Sequence, residues 1–317
     1  MVDMYRDYFT RENLVAAVQQ AQFIPGHIGS LGIFEVKGLT ATTMAVEELV
    51  KETVGKSTAI PRGSPAQAMN LGKRKVHTFT TETYAKTMAV YADEVLNIRA
   101  SGPTGAAEVI ETRRNETVQK LRNWADYQQE YMRMQVVLSP DNAFGSKPAE
   151  VQIALSTDAT KTREQVFTKV IKPMESALDG IPFAGLRAEC SDGFWGALIE
   201  NKAIKETYLN TQAAGELRND PRDAFVFGGV MWERIRGDSD IKITDDKAIV
   251  LPTGVSGMFH TGFAPDDTID SVGAGAMGAP YYLRAEPMKG GKGWEITMQT
   301  HPVMVCARPS AILTIGL

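Results

Sequence analysis

Gly273, Gly275 and Gly278 repeat the G-x-G-x-x-G spacing with which a strand-to-helix turn offers backbone N–H groups to a dinucleotide's pyrophosphate. That chemistry requires a helix directly after the last glycine. Here Ala279 is followed by Pro280 and the strand-prone Tyr281, Tyr282 and Leu283, so no helix is predicted and no cofactor is assigned. Gly55-Lys56-Ser57 resembles the end of a phosphate-binding loop. Position 50 is Val50 where that loop needs glycine, and Thr58-Ala59-Ile60-Pro61 follows in place of a helix. His27, His77, His260 and His301 are dispersed, with no H-x-x-x-H or C-x-x-C spacing, so no metal site is read from the sequence, although one could still form in three dimensions. Asp245-Asp246 and Asp266-Asp267 lie close to Gly or Pro without calcium-loop spacing and read as turns. There is no G-x-S-x-G elbow, and neither cysteine sits in a catalytic signature. No catalytic residue is assigned, and the chain is not expected to be an enzyme.

The elements that would have to position any chemistry belong to a chain of 317 residues, enough for one large domain or two modest ones with real cores. Apolar content of 43% and charged content of 23% are those of an ordinary globular protein. No apolar run approaches the roughly 18–20 residues of a membrane span. The first residues, MVDMYRDYFTRENL, lack the apolar core of a cleaved secretion signal. Cys190 and Cys306 are the two cysteines, which points to a reducing compartment and not to a disulfide framework. A net charge of −4 argues against a surface that grips nucleic acid everywhere.

Residues 1–35 read as an arm. A short helix is predicted over Arg11–Ala21, with Thr10 as its N-cap and Leu14, Val15 and Val18 on its packed side. Residues 33–50 suggest two short strands around Lys37-Gly38. Residues 51–76 are of another kind. They hold three glycines, two prolines and six cations (Lys51, Lys56, Arg62, Lys73, Arg74, Lys75) against the single acid Glu52. Such a segment cannot bury enough apolar area to hold its own shape. The Thr-rich run 77–84 then reads as a returning strand, making the whole an extended hairpin.

A long helix is predicted over 105–136, a rod of about 45 Å, with Val118, Leu121, Ala125 and Met132 on one stripe and Arg114, Asn115 and Asn123 pointing elsewhere. A second helix is predicted over 162–179, opened by a Thr162/Gln165 capping box, kinked at Pro173 and stopped at Gly180. A third starts after Ser191 or Asp192 with Phe194, Trp195, Leu198 and Ile199 inward. From about 224 onward the pattern becomes strand-like. Ile296 and Met298, then Val303 and Val305, alternate with other residues as in a sheet.

Four runs in the last third, in this order, carry a resemblance: FWGALIENKAIKETY (194–208), DAFVFGGVMWERIRGD (223–238), AIVLPTGVSGMFHTGFAPDD (248–267) and GWEITMQTHPVMVCARPSAILTIGL (293–317). With the basic loop, the Thr-rich strand and the long polar helix before them, they resemble the lambda head protein E family of tailed-bacteriophage major capsid proteins, over most of the chain. The resemblance implies an α+β chain with the tailed-phage major capsid fold of the Hong Kong 97 type. Its expected parts are an N-terminal arm (1–35), an extended loop (51–85), and a peripheral domain (36–50 and 86–180) with a spine helix over 105–136. An axial domain (181–290) and a C-terminal strand returning to the body (291–317) complete it.

The implied function is structural: self-assembly into hexamers and pentamers of an icosahedral shell around phage DNA. The implied partners are further copies of the chain, a scaffolding protein, a portal and an optional decoration protein, with packaged double-stranded DNA touched weakly on the inner surface and no membrane. The implied location is the virion capsid, assembled in the host cytoplasm. An encapsulin-like nanocompartment shell is the alternative of the same fold, and a soluble enzyme with a non-local site is a third reading. Within the capsid reading, Lys56, Arg62, Lys73, Arg74 and Lys75 are candidate inter-subunit contacts, able to pair with acids on a neighbour in a salt-sensitive way. Read without the resemblance, the same charges simply keep an exposed loop soluble.

Overall fold

The computed structural model describes residues 7–20, 26–49, 61–62, 74–96, 102–155, 159–201, 204, 224–235, 240–244, 246–271 and 276–317. Helix α1 (Arg11–Gln20) and the single turn α2 (His27–Ser30) precede strands β1 (Phe34–Gly38), β2 (Thr43–Leu49), β3 (Arg74–Thr80) and β4 (Tyr84–Tyr91). Then come α3 (Ala92–Leu96), the long α4 (Gly102–Leu138) and β5 (Ala149–Gln152). A compound helix follows: α5 (Ala159–Val166), a π turn (Phe167–Ile171) and α6 (Lys172–Leu178). The remainder is β6 (Gly185–Cys190), α7 (Asp192–Glu200), β7 (Phe225–Phe227), β8 (Val230–Arg234), β9 (Lys247–Thr253), β10 (Phe259–Phe263), β11 (Tyr282–Pro287), β12 (Gly293–Thr300), β13 (Pro302–Cys306) and β14 (Leu313–Gly316).

Helix α4 has 37 residues, about 55 Å at 1.5 Å per residue. It runs that far because no Gly or Pro interrupts it after its first turn, where Pro103 is tolerated, and it ends just before Pro140. Its first half packs Val118, Leu121 and Ala125 against Phe9, Leu14 of α1, Val90 of β4, and Ile296 and Met298 of β12. Its last turns enter a second core, where Met134 and Val137 meet Ile28, Leu178, Ile249, Leu251 and Phe259. Met134 thus takes the place expected for Met132, which is half-buried. Arg114, expected to point away, is buried because the residues before α1 cross that side of the helix, and its Nη1 donates to Tyr8 O at 2.7 Å.

Strand β9 divides the second core from a third. Its Ile249 and Leu251 face the α4 side, and its Ala248 and Val250 face the opposite way, as strand alternation requires. On that side Val166, Val170 and Met174 of the compound helix and Phe194, Trp195 and Leu198 of α7 cover Leu186, Val230, Trp232, Leu313 and Ile315. The strands form a six-stranded mixed sheet in the order β5-β14-β9-β6-β8-β7. A three-stranded sheet, β11-β12-β4, lies along α4, and another, β1-β10-β13, joins β1 in parallel to β10. Residues 181–290 are therefore shared between the six-stranded sheet (β6–β9) and the two smaller ones (β10, β11), and residues 291–317 between all three.

Several local expectations differ from what forms. The compound helix begins at Ala159, so Thr162 lies inside it; its hydroxyl accepts from Asn201 Nδ2 at 3.4 Å, and Gln165 Oε1 accepts from Ala154 N at 3.1 Å. No capping box forms because both side chains serve partners outside the helix. The irregularity expected at Pro173 lies just upstream, in the π turn, where Lys172 N donates to Phe167 O. Proline lacks an N–H for the helical ladder, and a widened turn accommodates the loss. Thr10 does not cap α1 with its side chain; its hydroxyl donates to Asp7 O at 3.2 Å. Val15 and Ile199 are exposed, since only the opposite sides of their helices meet a core.

The two strands over 33–50 are present, but the turn falls after Gly38. A Cβ on Gly38 would lie 2.6 Å from Gly278 O, and one on Gly278 would lie 1.8 Å from Phe263 O. Gly278 N donates to Leu39 O at 2.8 Å. The last glycine of the nucleotide-like motif is thus required because its backbone crosses the β1–β10 pair in close contact. Its context is a coil at 276–280 leading into β11, not a helix. Gly278→Ala is expected to destabilise the subunit by about 1–3 kcal/mol or more through overpacking, read as a lower midpoint in denaturant unfolding; an unchanged midpoint would contradict this packing.

Candidate functional site

Strands β2 and β3 form a two-stranded antiparallel hairpin, in register from Thr43↔Thr80 to Leu49↔Arg74. Its root is apolar: Met44, Val46 and Phe79 pack on Phe144, Val303 and Val305, and the His77 and Phe144 rings lie 4.6 Å apart. Further out, the side chains of Glu47, Lys75 and Val76 are exposed. The returning strand read from the Thr-rich run therefore exists, beginning three residues earlier at Arg74. Lys75 is exposed on it as the register partner of Glu48, and Arg74 precedes it opposite Leu49. Arg62 is exposed at a turn position apart from them. Lys56 and Lys73 lie outside the described residues.

Where α2 meets α4 and β6, a polar cluster forms that no sequence spacing announces. Glu130 of α4, 5% exposed, accepts from Ile28 N at 2.5 Å through Oε1 and from Gly29 N at 3.0 Å through Oε2, and Arg133 Nη1 lies 3.3 Å from the same Oε2. Two otherwise unmatched N–H groups of α2 are satisfied by one carboxylate. A Cβ on Gly26 would overlap the Glu130 side chain, so glycine there permits the approach. Beside it, His27 Nε2 lies 2.6 Å from Glu189 Oε2. Arg187 Nε contacts Glu189 Oε1 at 2.9 Å, and its Nη2 pairs with Glu233. Glu189 is fully buried, so these contacts replace its water.

A second junction lies on β1. Glu35 Oε1 accepts from Gly257 N at 2.6 Å and Ser256 Oγ at 2.9 Å, and Oε2 lies 3.8 Å from His260 Nδ1. The Gly257 N–H, then the Ser256 hydroxyl, hold the Glu35 carboxyl below its usual range. Burial holds the His260 imidazole below its usual value, only partly offset by Glu35. Deeper in the body, burial raises the Asp126 carboxyl even though Tyr281 OH donates to it. Cys190 and Cys306 are free and buried, and burial pushes the Cys306 thiol up to about 12 and the Cys190 thiol well above its usual value. Such thiols are poor nucleophiles at neutral pH.

A long helix laid along an antiparallel sheet, a projecting two-stranded hairpin and a six-stranded sheet between two cores together make the shell-forming capsid fold. Solved structures that share it include a chain described as the capsid protein of an E. coli CFT073 prophage (13% identity, 97% of this chain and 98% of that one, TM-score 0.59). The capsid of a native GTA particle (12%, 93% and 92%, 0.57) and a chain from Mycobacterium phage Che8 (11%, 97% and 90%, 0.51) also share it. No curated protein matches the chain at a significant level. The profile of the family described as phage major capsid protein E matches residues 10–316, and the chain belongs to that family. It is a structural capsid component, not an enzyme.

Two predictions follow from the junctions. As pH falls below about 6.5, unfolded histidine takes a proton that folded His260 resists, so its stabilising contribution is present above that pH and lost as pH falls toward the folded value. His260→Gln should flatten the dependence of the unfolding midpoint as pH falls below about 6.5; an identical slope in both proteins counts against it. Glu189→Ala leaves Arg187 and His27 without their buried partner and should cost about 3–5 kcal/mol. Faster limited proteolysis of the arm is the accompanying readout.

Proposed function

We propose that the chain forms hexameric and pentameric capsomers of an icosahedral shell enclosing double-stranded DNA, and that the β2–β3 hairpin, the root of the extended loop at 51–85, lies across a neighbouring subunit. The observation that carries this reading is the hairpin itself. A two-stranded ribbon is marginal on its own in water, and beyond its apolar root it turns exposed Glu47, Lys75 and Val76 away from its own subunit. A neighbour's surface would supply the missing cover. Val36 on edge strand β1, 60% exposed, and Val226 on edge strand β7, 64% exposed, are further apolar positions that contacts between copies would bury.

In this reading residues 1–35 are the arm, α4 is the spine of the peripheral domain (36–50 and 86–180), and the β6–β9 part of the six-stranded sheet belongs to the axial domain (181–290). Residues 291–317 return to the body. Lys56, Arg62, Lys73, Arg74 and Lys75 pair with acidic groups of the adjoining copy. Surface pairs contribute only about 0–1 kcal/mol each, so they act together and lose strength with salt. A separate scaffolding protein, a portal and an optional decoration protein are the other partners. The net charge of −4 suits a wall that confines DNA without gripping it, inside a particle assembled in the host cytoplasm.

The test is charge reversal of Lys73, Arg74 and Lys75 to Glu. Size-exclusion chromatography and negative-stain microscopy should show few or no particles, while the thermal unfolding of the isolated subunit stays close to that of the parent. Normal particles from the triple variant would refute the role of the loop. A discrete small oligomer at every concentration of the parent chain would refute shell formation.

A further inference from the structure

The loop leaving β10 turns at Asp266 and Asp267 and meets His301, the residue that joins β12 to β13. One ligating atom from each of the three lies within 4.8 Å of the others. His301 is only 2% exposed. Its Nδ1 is hydrogen-bonded to Thr83 Oγ1 at 2.9 Å, while its Nε2 is buried with no hydrogen-bond partner among the described residues. An imidazole that gives its Nδ1–H to an oxygen presents a lone pair at Nε2, which is how a histidine is set to bind a metal. Burying Nε2 unmatched is costly, and in that tautomer a cation would satisfy it.

The rest of the cluster is built in the same sense. Thr268 Oγ1 donates to Asp266 Oδ2 at 2.9 Å, which orients that carboxylate. Gln299, with its amide nitrogen turned to the carboxylates, reaches Asp266 Oδ1 at 3.2 Å and Asp267 Oδ1 at 3.0 Å, so it bridges the pair. The Tyr282 ring, 5.6 Å from His301 centroid to centroid, fixes the imidazole plane. Neither aspartate is ion-paired with a lysine or arginine among the described residues. His27, Glu189 and Glu233 also bring ligating atoms within 4.8 Å. There Arg187 contacts both glutamates, so their charge is already compensated.

We propose that Asp266, Asp267 and His301 bind one divalent transition cation of the Zn²⁺ class. One imidazole nitrogen with two carboxylate oxygens is a borderline donor set that favours such an ion over Mg²⁺ or Ca²⁺, which prefer oxygen alone. The place in the fold gives the ion a mechanical role. Thr83 and Glu82 lie in the connection between β3 and β4, and Glu82 N donates to Pro302 O at 3.0 Å. A cation held by His301 would lock the β10 exit loop to the strand connection from which the β2–β3 hairpin departs.

The experiment uses the purified full chain, stripped with a chelator and titrated with Zn²⁺, with bound metal measured by elemental analysis and calorimetry. One Zn²⁺ per chain is expected at this site, with Mg²⁺ failing to compete at equal concentration. Asp267→Asn changes an exposed residue and leaves folding intact, so it separates ligation from stability. It should weaken Zn²⁺ binding at least about tenfold, whereas His27→Gln should leave it unchanged. Wild-type affinity in Asp267→Asn, loss of binding in His27→Gln, or no saturable binding to the parent chain would each overturn the assignment.

Discussion

Strand β9 and helix α4 each form the wall of two hydrophobic cores, and the rest of the molecule depends on that sharing. Strand β9 gives Ala248 and Val250 to the core under α7 and Ile249 and Leu251 to the core beneath α4. Helix α4 in turn gives Met134 and Val137 to that same core and Val118, Leu121 and Ala125 to another against β4 and β12. Strand β13 repeats the device on a smaller scale, with Cys306 in the second core and Val303 and Val305 at the hairpin root. Close-packed interiors transmit displacement because they have little free volume to absorb it. A push on the hairpin root therefore reaches the six-stranded sheet through side chains already in contact.

The N-terminal segment packs Phe9, Leu14 and Ala17 into the core along α4, but its α2 turn is held differently. Only Ile28, 1% exposed, plugs into the second core from α2. Around that plug the attachment is directional: Glu130 to two backbone N–H groups, His27 to Glu189, Arg187 to Glu189 and Glu233. Buried charge-assisted bonds fix orientation strongly but add little net stability over an apolar contact. The α2 turn is set in place by geometry more than by area.

What could be read from the residues was local. The 3.6-residue period gave α4 to within three residues at each end, and Ser191 caps α7 as its residue type suggests, accepting from Phe194 N at 3.3 Å. The Thr-rich run gave β3. Reading failed wherever a distant segment decides. Arg114 looked solvent-facing until Tyr8 covers it, and Thr162 looked like a cap until Asn201 claims it. His27 and Glu189 are 162 positions apart, and Asp266 and His301 come together only because β10 pairs with β13. No spacing rule spans such separations. Of the five basic residues singled out, Lys75 and Arg62 are exposed, and the family itself was legible because each of its four C-terminal runs is contiguous in sequence.

The parallel pairing of β1 with β10 joins Phe34 to Phe259, and β14 joins Leu313 to Ala149. Neither sheet can close until segments far apart along the chain have met, and closing long loops before any contact rewards them makes folding slow. The tempo has a bearing on particle building. Shells grow cleanly when competent subunits arrive more slowly than growing edges consume them, because nuclei then stay few. A topology this non-local delays the appearance of folded subunits relative to a chain of local contacts.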